Sequence, residues 1–280
     1  MRGAGRTDGA VAGQAGTVVS VDGTSIGYWR TGEGPPLVLV HGTSADHARW
    51  APVLPALGER FAVYALDRRG QAGSGDAVDH SLEREVEDVA AVVDAVAGSV
   101  GAPVGLLGHS YGAICCLEAA SRGLAPVGGL VLYEPPLPTG AVAFPAEVVG
   151  RVEALIEGGD RDGAVAVFLR EVAGMSPPHV DRMRAESDWP RRVAAAHTLP
   201  REARGAEGYA LDPASLRGLR TRVLLLLGDE SPPFFKAAIE TLDGALPDSR
   251  VVVMPGQGHV AMHTAPELFA GLVVRFLVQE

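Results

Sequence analysis

Gly108-His109-Ser110-Tyr111-Gly112 decides the reading of this chain. The apolar run Pro103-Val104-Gly105-Leu106-Leu107 precedes it, and the helix-forming run Ala113-Ile114-Cys115-Cys116-Leu117-Glu118-Ala119-Ala120 follows. The order is strand, tight turn, helix. In that setting a G-x-S-x-G turn lifts a serine hydroxyl above the sheet edge and aims a helix N-terminus at it. Ser110 is therefore the candidate nucleophile. The plainer role for such a serine is a helix N-cap, which the same turn favours.

A serine nucleophile needs a base, an acid to orient that base, and donors for an oxyanion. With this turn the partners follow in the order serine, acid, histidine. Val251-Val252-Val253-Met254 is a β-branched run leading into Pro255-Gly256-Gln257-Gly258-His259. His259 thus sits on a glycine-rich loop at a strand end, where a general base belongs. His263, just beyond, reads as a surface histidine. Early in the chain, Pro36-Leu37-Val38-Leu39-Val40 ends in His41-Gly42-Thr43-Ser44. The N–H groups of Thr43 and Tyr111 are the candidate oxyanion hole.

These residues resemble the α/β-hydrolase fold superfamily, which includes esterases, lactonases, C–C hydrolases and cofactor-free haloperoxidases. His41-Gly42 resembles its HG oxyanion motif. Asp67-Arg68-Arg69-Gly70 with Gly73-Ser74 resembles its D-x-R-G-x-G-x-S segment, with Gln71 and Ala72 where His and Gly are common. Gly108 to Gly112 resembles its elbow, and Gly258-His259 its C-terminal GH. The resemblance runs from about Val18 to the C-terminus. It implies an acid three residues after Gly228, but Ser231 stands there. Asp229 and Glu230 are neighbouring candidates. Other members of the fold carry the acid at the end of the next strand after the elbow. Here that residue is Glu134, after Gly129-Leu130-Val131-Leu132-Tyr133. Glu134 is the preferred acid and Asp229 the second.

The pattern of elements predicts an α/β protein with a mostly parallel sheet covered by helices on both faces. Asp22-Gly23 sets a hairpin between residues 17–21 and 25–30. Strands follow at 37–40 and 61–66. A helix broken by Pro52 and Pro55 is expected over 47–57. Ser81 caps an amphipathic helix over 81–96, with Val86, Val89, Val93 and Val96 on one face. Strand 222–227 and a helix over 266–278 close the core. Between Pro135 and about Asp212 the strand pattern stops. Helical stretches near 146–156, 162–172, 178–186 and 190–197 predict a cap over Ser110. The expected division is a disordered tail over 1–16, a core of 17–134 with 212–280, and a helical cap of 135–211. Caps supply apolar pocket walls. Phe144, Phe168, Met175, Met183 and Trp189 are candidates for that wall, with Trp50, His41 and Gly42 on the opposite side.

Composition narrows the function classes. The chain has 280 residues, 47% of them hydrophobic, which suits one large domain with an insertion. No apolar run approaches the roughly 18 residues of a membrane span. The formal charge is −10, with 34 acidic and 24 basic residues, which disfavours nucleic acid and anionic membranes as partners. The first 16 residues have no apolar stretch of signal type, and the adjacent Cys115 and Cys116 read as buried thiols. A cytoplasmic location is expected. No P-loop, strand-linked G-x-G-x-x-G or metal-ligand spacing occurs, so neither a cofactor nor a metal is expected. Nothing in the sequence specifies an oligomeric state. The expected activity is serine hydrolysis of an ester, thioester or lactone in a modest-sized, mostly apolar small molecule. C–C bond hydrolysis, cofactor-free perhydrolysis and non-catalytic ligand binding on the same fold are the alternatives.

Overall fold

The long apolar runs become the inner strands of one sheet. The computed structural model describes residues 13–139 and 145–278. Its strands are β1 (Gln14–Val19), β2 (Ser25–Thr31), β3 (Pro36–Val40), β4 (Ala62–Leu66), β5 (Val104–His109), β6 (Val127–Tyr133), β7 (Val223–Gly228) and β8 (Ser249–Met254). The sheet order is β1-β2-β4-β3-β5-β6-β7-β8. β1 and β2 pair antiparallel at one edge, and β2 also runs antiparallel to β4. The remaining pairs are parallel. This is the expected α/β architecture.

Parallel strands need helical crossovers, and these cover both faces. The crossover and flanking helices are α1 (Leu54–Gly58), α2 (Leu82–Val100) and α3 (Tyr111–Ser121). The segment between β6 and β7 adds α4 (Ala146–Glu157), α5 (Arg161–Glu171), α6 (Pro177–Arg184), α7 (Trp189–Ala194), α8 (Leu199–Glu207) and α9 (Pro213–Gly218). Then come α10 (Pro233–Ala245), α11 (Ala261–Thr264) and α12 (Pro266–Val278). Alternate residues of each strand face opposite sides. Val38, Val40, Leu106, Leu130, Leu132 and Leu225 pack with α2, α3 and α10. Leu37, Leu39, Leu107, Val131, Leu224 and Leu226 pack with α1 and α12.

Local signals fix several boundaries. Ser81 Oγ accepts from Arg84 N at 3.2 Å, capping α2, and Gly101 ends that helix with φ +70°. The helix therefore runs past the expected end at 96. β1 begins at Gln14, so residues 14–16 of the expected tail are strand, paired with β2. The tail over 1–12 and Phe144 lie outside the described residues. The broken helix over 47–57 is a 3-10 turn, His47–Trp50, followed by α1. Four helices had no expected counterpart: α8, α9, α10 and α11. α8 buries Leu199, Ala203 and Ala206, and α10 buries Phe235, Ala238, Ile239 and Leu242.

The Asp67 segment ties core and helical segment together. Arg68 is 2% exposed, and its Nε donates to Glu85 Oε2 of α2 at 2.6 Å. Its Nη2 lies 2.9 Å from Glu202 Oε2 of α8. Gln71 Nε2 donates to Thr198 Oγ1 at 2.8 Å and to Glu202 Oε1 at 3.1 Å. Arg69 joins Asp88 and Asp22 at 2.6 and 2.9 Å. Burial raises the Glu85 carboxyl, but the Arg68 charge outweighs it and holds the group down at about 2. Its contribution to stability is present above the ordinary value of 4.5 and is lost as pH falls toward about 2. Arg68→Met strands two buried carboxylates. It should destabilise the protein by about 3–5 kcal/mol in urea unfolding. The fall in stability between pH 4.5 and about 2 should flatten in the variant.

Candidate active site

The turn at Ser110 is shaped by what touches its glycines. Ser110 sits between β5 and α3 at φ +54° and ψ −126°, in the left-handed half of the map that a serine rarely enters. A Cβ on Gly108 would lie 2.5 Å from Ala113 Cα. A Cβ on Gly112 would lie 2.4 Å from the His41 carbonyl oxygen, and one on Gly42 would lie 2.8 Å from Ser110 Cβ. Both ends of the turn thus press against backbone, and β3's loop presses on the serine itself. Ser110 N donates to the Tyr133 carbonyl at 2.9 Å, which ties the turn to the end of β6.

The next residue, Glu134, is fully buried at φ +48°. A buried carboxylate must have its oxygens filled by donors. Gly228 N donates to Oε1 at 2.7 Å and Ser231 Oγ donates to the same oxygen at 2.6 Å. His259 Nδ1–H donates to Oε2 at 2.6 Å. That bond fixes the tautomer and leaves Nε2 as the basic nitrogen. Asp229 takes a different place. It is exposed, and its Oδ1 accepts from Gln257 N at 3.3 Å. Glu230 is also exposed. The carboxylate that meets His259 is that of Glu134.

Three side chains with no expected role hold the histidine. Phe235 stacks on its ring at 4.4 Å between centroids and 15° between planes. His109 Nε2–H donates to the His259 carbonyl at 2.8 Å. Burial, then the neighbouring His259, pushes His109 well below the ordinary histidine value, so it is neutral. The Tyr133 hydroxyl donates to the Gly258 carbonyl and accepts from Ala261 N at 3.1 Å. No motif marks Phe235 or Tyr133. His109 lies inside the G-x-S-x-G run, at its variable position.

Thr43, Arg49, His109, Ser110, Phe168, Leu169, Met175, Pro232, Phe234, Phe235 and His259 are among the residues lining one cleft. Thr43 N–H has no protein acceptor among the described residues, and Tyr111 is the first residue of α3, where the N–H lacks an intrahelical partner. Other expected wall residues lie elsewhere. His41 is fully buried; its Nδ1–H donates to the Gly42 carbonyl at 2.8 Å and its Nε2 accepts from Arg68 N at 3.1 Å. Burial, helped by the Arg68 charge, lowers it to about 4. With both ring nitrogens engaged, it shapes the loop and has none free for a substrate. Gly42 supplies closeness to Ser110 rather than wall. Trp50 is fully buried below the cleft, against His109 and Phe269. Trp189 packs inside the helical segment, its Nε1–H bonded to Asp162 at 2.7 Å, and Met183 is buried there too. His263 is exposed on α11. The described residues hold no group of three or more His, Cys, Asp or Glu that could hold a metal, and no helix long and apolar enough to cross a membrane.

The contacts at Gly112 predict that Gly112→Ala destabilises the protein by about 1–3 kcal/mol, because backbone must move to admit the methyl. Gly98, inside α2, has nothing within 4 Å of its would-be Cβ. Gly98→Ala should stabilise by about 0.5–1 kcal/mol. Urea denaturation of the two variants against wild type measures both signs.

Known proteins resemble this chain over most of its length. A 2-(acetamidomethylene)succinate hydrolase of Mesorhizobium japonicum is 27% identical over 260 residues, 88% of this chain and 89% of that protein. A pimeloyl-[acyl-carrier protein] methyl ester esterase of Aeromonas hydrophila is 29% identical over 270 residues, 90% of this chain and 99% of that protein. The crystal structure of an alpha/beta hydrolase from Sphaerobacter thermophilus is 34% identical, with a TM-score of 0.80 over 94% of this chain and 100% of that one. The family model described as "Alpha/beta hydrolase family" matches residues 37–272, and this chain belongs to that family as a hydrolase.

Proposed function

We propose that the protein cleaves an ester, thioester or lactone with Ser110 as nucleophile, His259 as general base and Glu134 as the orienting acid. The observation that carries this reading is the 2.6 Å bond from His259 Nδ1–H to the buried Glu134, with His259 and Ser110 lining one cleft. His259 Nε2 takes the hydroxyl proton as Ser110 Oγ attacks the carbonyl carbon. Glu134 stabilises the imidazolium that forms. The N–H groups of Thr43 and Tyr111 receive the oxyanion, and the α3 N-terminus adds its partial positive charge. The acyl-enzyme is then released by water that His259 activates. The esterase among the relatives supports ester cleavage.

The segment from α4 to α9 acts as the cap. It brings Phe168, Leu169, Val172, Ala173 and Met175 to the cleft, which suits a largely apolar small substrate. The cytoplasm is the compartment we assign. Cys115 and Cys116 are free, fully buried and pushed well above the usual thiol range by that burial.

Ser110→Ala should lower kcat on 4-nitrophenyl esters by about 10⁴-fold or more with the fold intact by circular dichroism. Undiminished turnover would overturn the nucleophile assignment. Glu134→Gln should cost about 10⁴-fold, since His259 would lose its tautomer and the partner for its charge. Asp229→Asn, in the exposed loop, should retain most activity. Side-by-side kinetics at one pH separate the two, and a collapse confined to Asp229→Asn would reverse the assignment.

A further inference from the structure

Among the described residues that line the cleft, Arg49 alone carries a full charge that the reaction above does not use. It lies in the 3-10 turn after the Thr43 loop and is 8% exposed. Its Nε is buried with no hydrogen-bond partner. Among the described residues no carboxylate oxygen lies within 4.0 Å of its guanidinium, although other arginines here are paired. The acids nearest in its field are engaged elsewhere. Asp46 Oδ2 accepts from Arg191 Nε at 2.6 Å, and its Oδ1 caps Ala48 N at 2.9 Å. Asp188 Oδ2 accepts from Arg192 Nη2 at 2.6 Å. Asp188 Oδ1 is unpartnered but stays beyond pairing distance. Glu186 is exposed.

A buried guanidinium without an anion is among the costliest arrangements in a protein. Burial, and Arg192 beside it, push Arg49 down to about 9. The guanidinium fork matches a carboxylate best, through two parallel hydrogen bonds. The rest of the lining is mostly apolar, with few of the further donors that a phosphate would require.

We propose that Arg49 anchors a carboxylate on the substrate, so that the site takes acids that also carry an ester, thioester or lactone group. This inference rests on the hydrolase reading above and specifies its substrate class. The carboxylate seats against Arg49 at one end of the cleft. The apolar chain lies along Phe168, Leu169 and Met175, and the scissile carbonyl reaches Ser110.

The test uses mono-4-nitrophenyl esters of glutarate, adipate and pimelate, with spontaneous hydrolysis subtracted. Beside each runs the neutral ester in which an isopropyl group replaces the carboxylate. Wild type should favour the best anionic ester by roughly tenfold or more in kcat/KM. Arg49→Gln should lower the anionic-to-neutral ratio by about 10- to 100-fold, chiefly through KM, and Arg49→Lys should restore part of it. A wild-type preference for the neutral esters overturns the anchor, even where Arg49→Gln does not fold. So does an equal loss on both substrates in Arg49→Gln, which would place Arg49 at the oxyanion or in the architecture. A ratio unchanged in Arg49→Gln likewise overturns it and leaves the hydrolase reading standing. A binding arm needs no turnover: adipate should raise the Tm of wild type and not that of Arg49→Gln, and dimethyl adipate should raise neither. If no ester is cleaved yet adipate protects only through Arg49, the hydrolase reading fails and the anchor stands. Equal protection of both proteins by adipate overturns the anchor.

Discussion

The carboxylate of Glu134 is the interaction on which this end of the molecule depends. A charge with no solvent exposure must be surrounded by donors or it will be neutralised. Here the donors come from two separate places, Gly228 and Ser231 at the end of β7 and just beyond it, and His259 after β8. Satisfying one buried anion therefore registers three strand ends against one another. It also explains the strained backbone of Glu134, at φ +48°. The chain must turn sharply off β6 to place an acid between β7 and the histidine loop. Tyr133, one residue earlier, clamps that loop from the other side through Gly258 and Ala261.

A second constraint is steric. β3's loop, the elbow and α3 meet at distances that no side chain survives, as the contacts of Gly42, Gly108 and Gly112 show. The close approach sets Thr43 opposite the start of α3. Thr43 N–H has no protein acceptor among the described residues, and Thr43 lines the cleft. His41, spent on holding the loop to Arg68, is the scaffold for that geometry.

Much of this was legible in the sequence, for physical reasons. Strands buried on both faces read as unbroken apolar runs, so β3 to β7 stand out, and the elbow is marked by the glycines that its packing demands. Glu134 was legible as an acid closing the strand after the elbow once Ser231 occupied the usual acid position. The structure adds that Ser231 is a donor to Glu134. What escaped were directions of side chains in irregular backbone. Trp50 was read as a wall and points into the core. Arg49, its neighbour, lines the cleft. In a 3-10 turn no period of two or 3.6 separates inward from outward positions. Trp189 was a wall candidate as an apolar residue of the expected cap, yet its indole N–H is bonded to Asp162 within the helical segment. α8 carries an apolar stripe too short to separate from the proline-rich sequence around it.

Two buried arginines show how the helical segment and the site are joined. Arg68 is saturated: Glu85 from the core and Glu202 from α8 both meet it, and its planar group lies 4.6 Å from the Tyr111 ring centroid. That pairing seats α8 and leaves the guanidinium with no unpaired side. Arg49 is in the opposite condition because of the same docking. Arg191 and Arg192 of α7 reach across to Asp46 and to the Ser44 carbonyl, and Arg192 also pairs with Asp188 at the start of its own helix. Asp46 is thereby engaged by Arg191 and Asp188 by Arg192, two of the acids nearest Arg49. Among the described residues, Arg49 thus stands at the cleft without a paired carboxylate. The ion pairs that join the helical segment to the loop after β3 thus also decide which acids are left near the cleft.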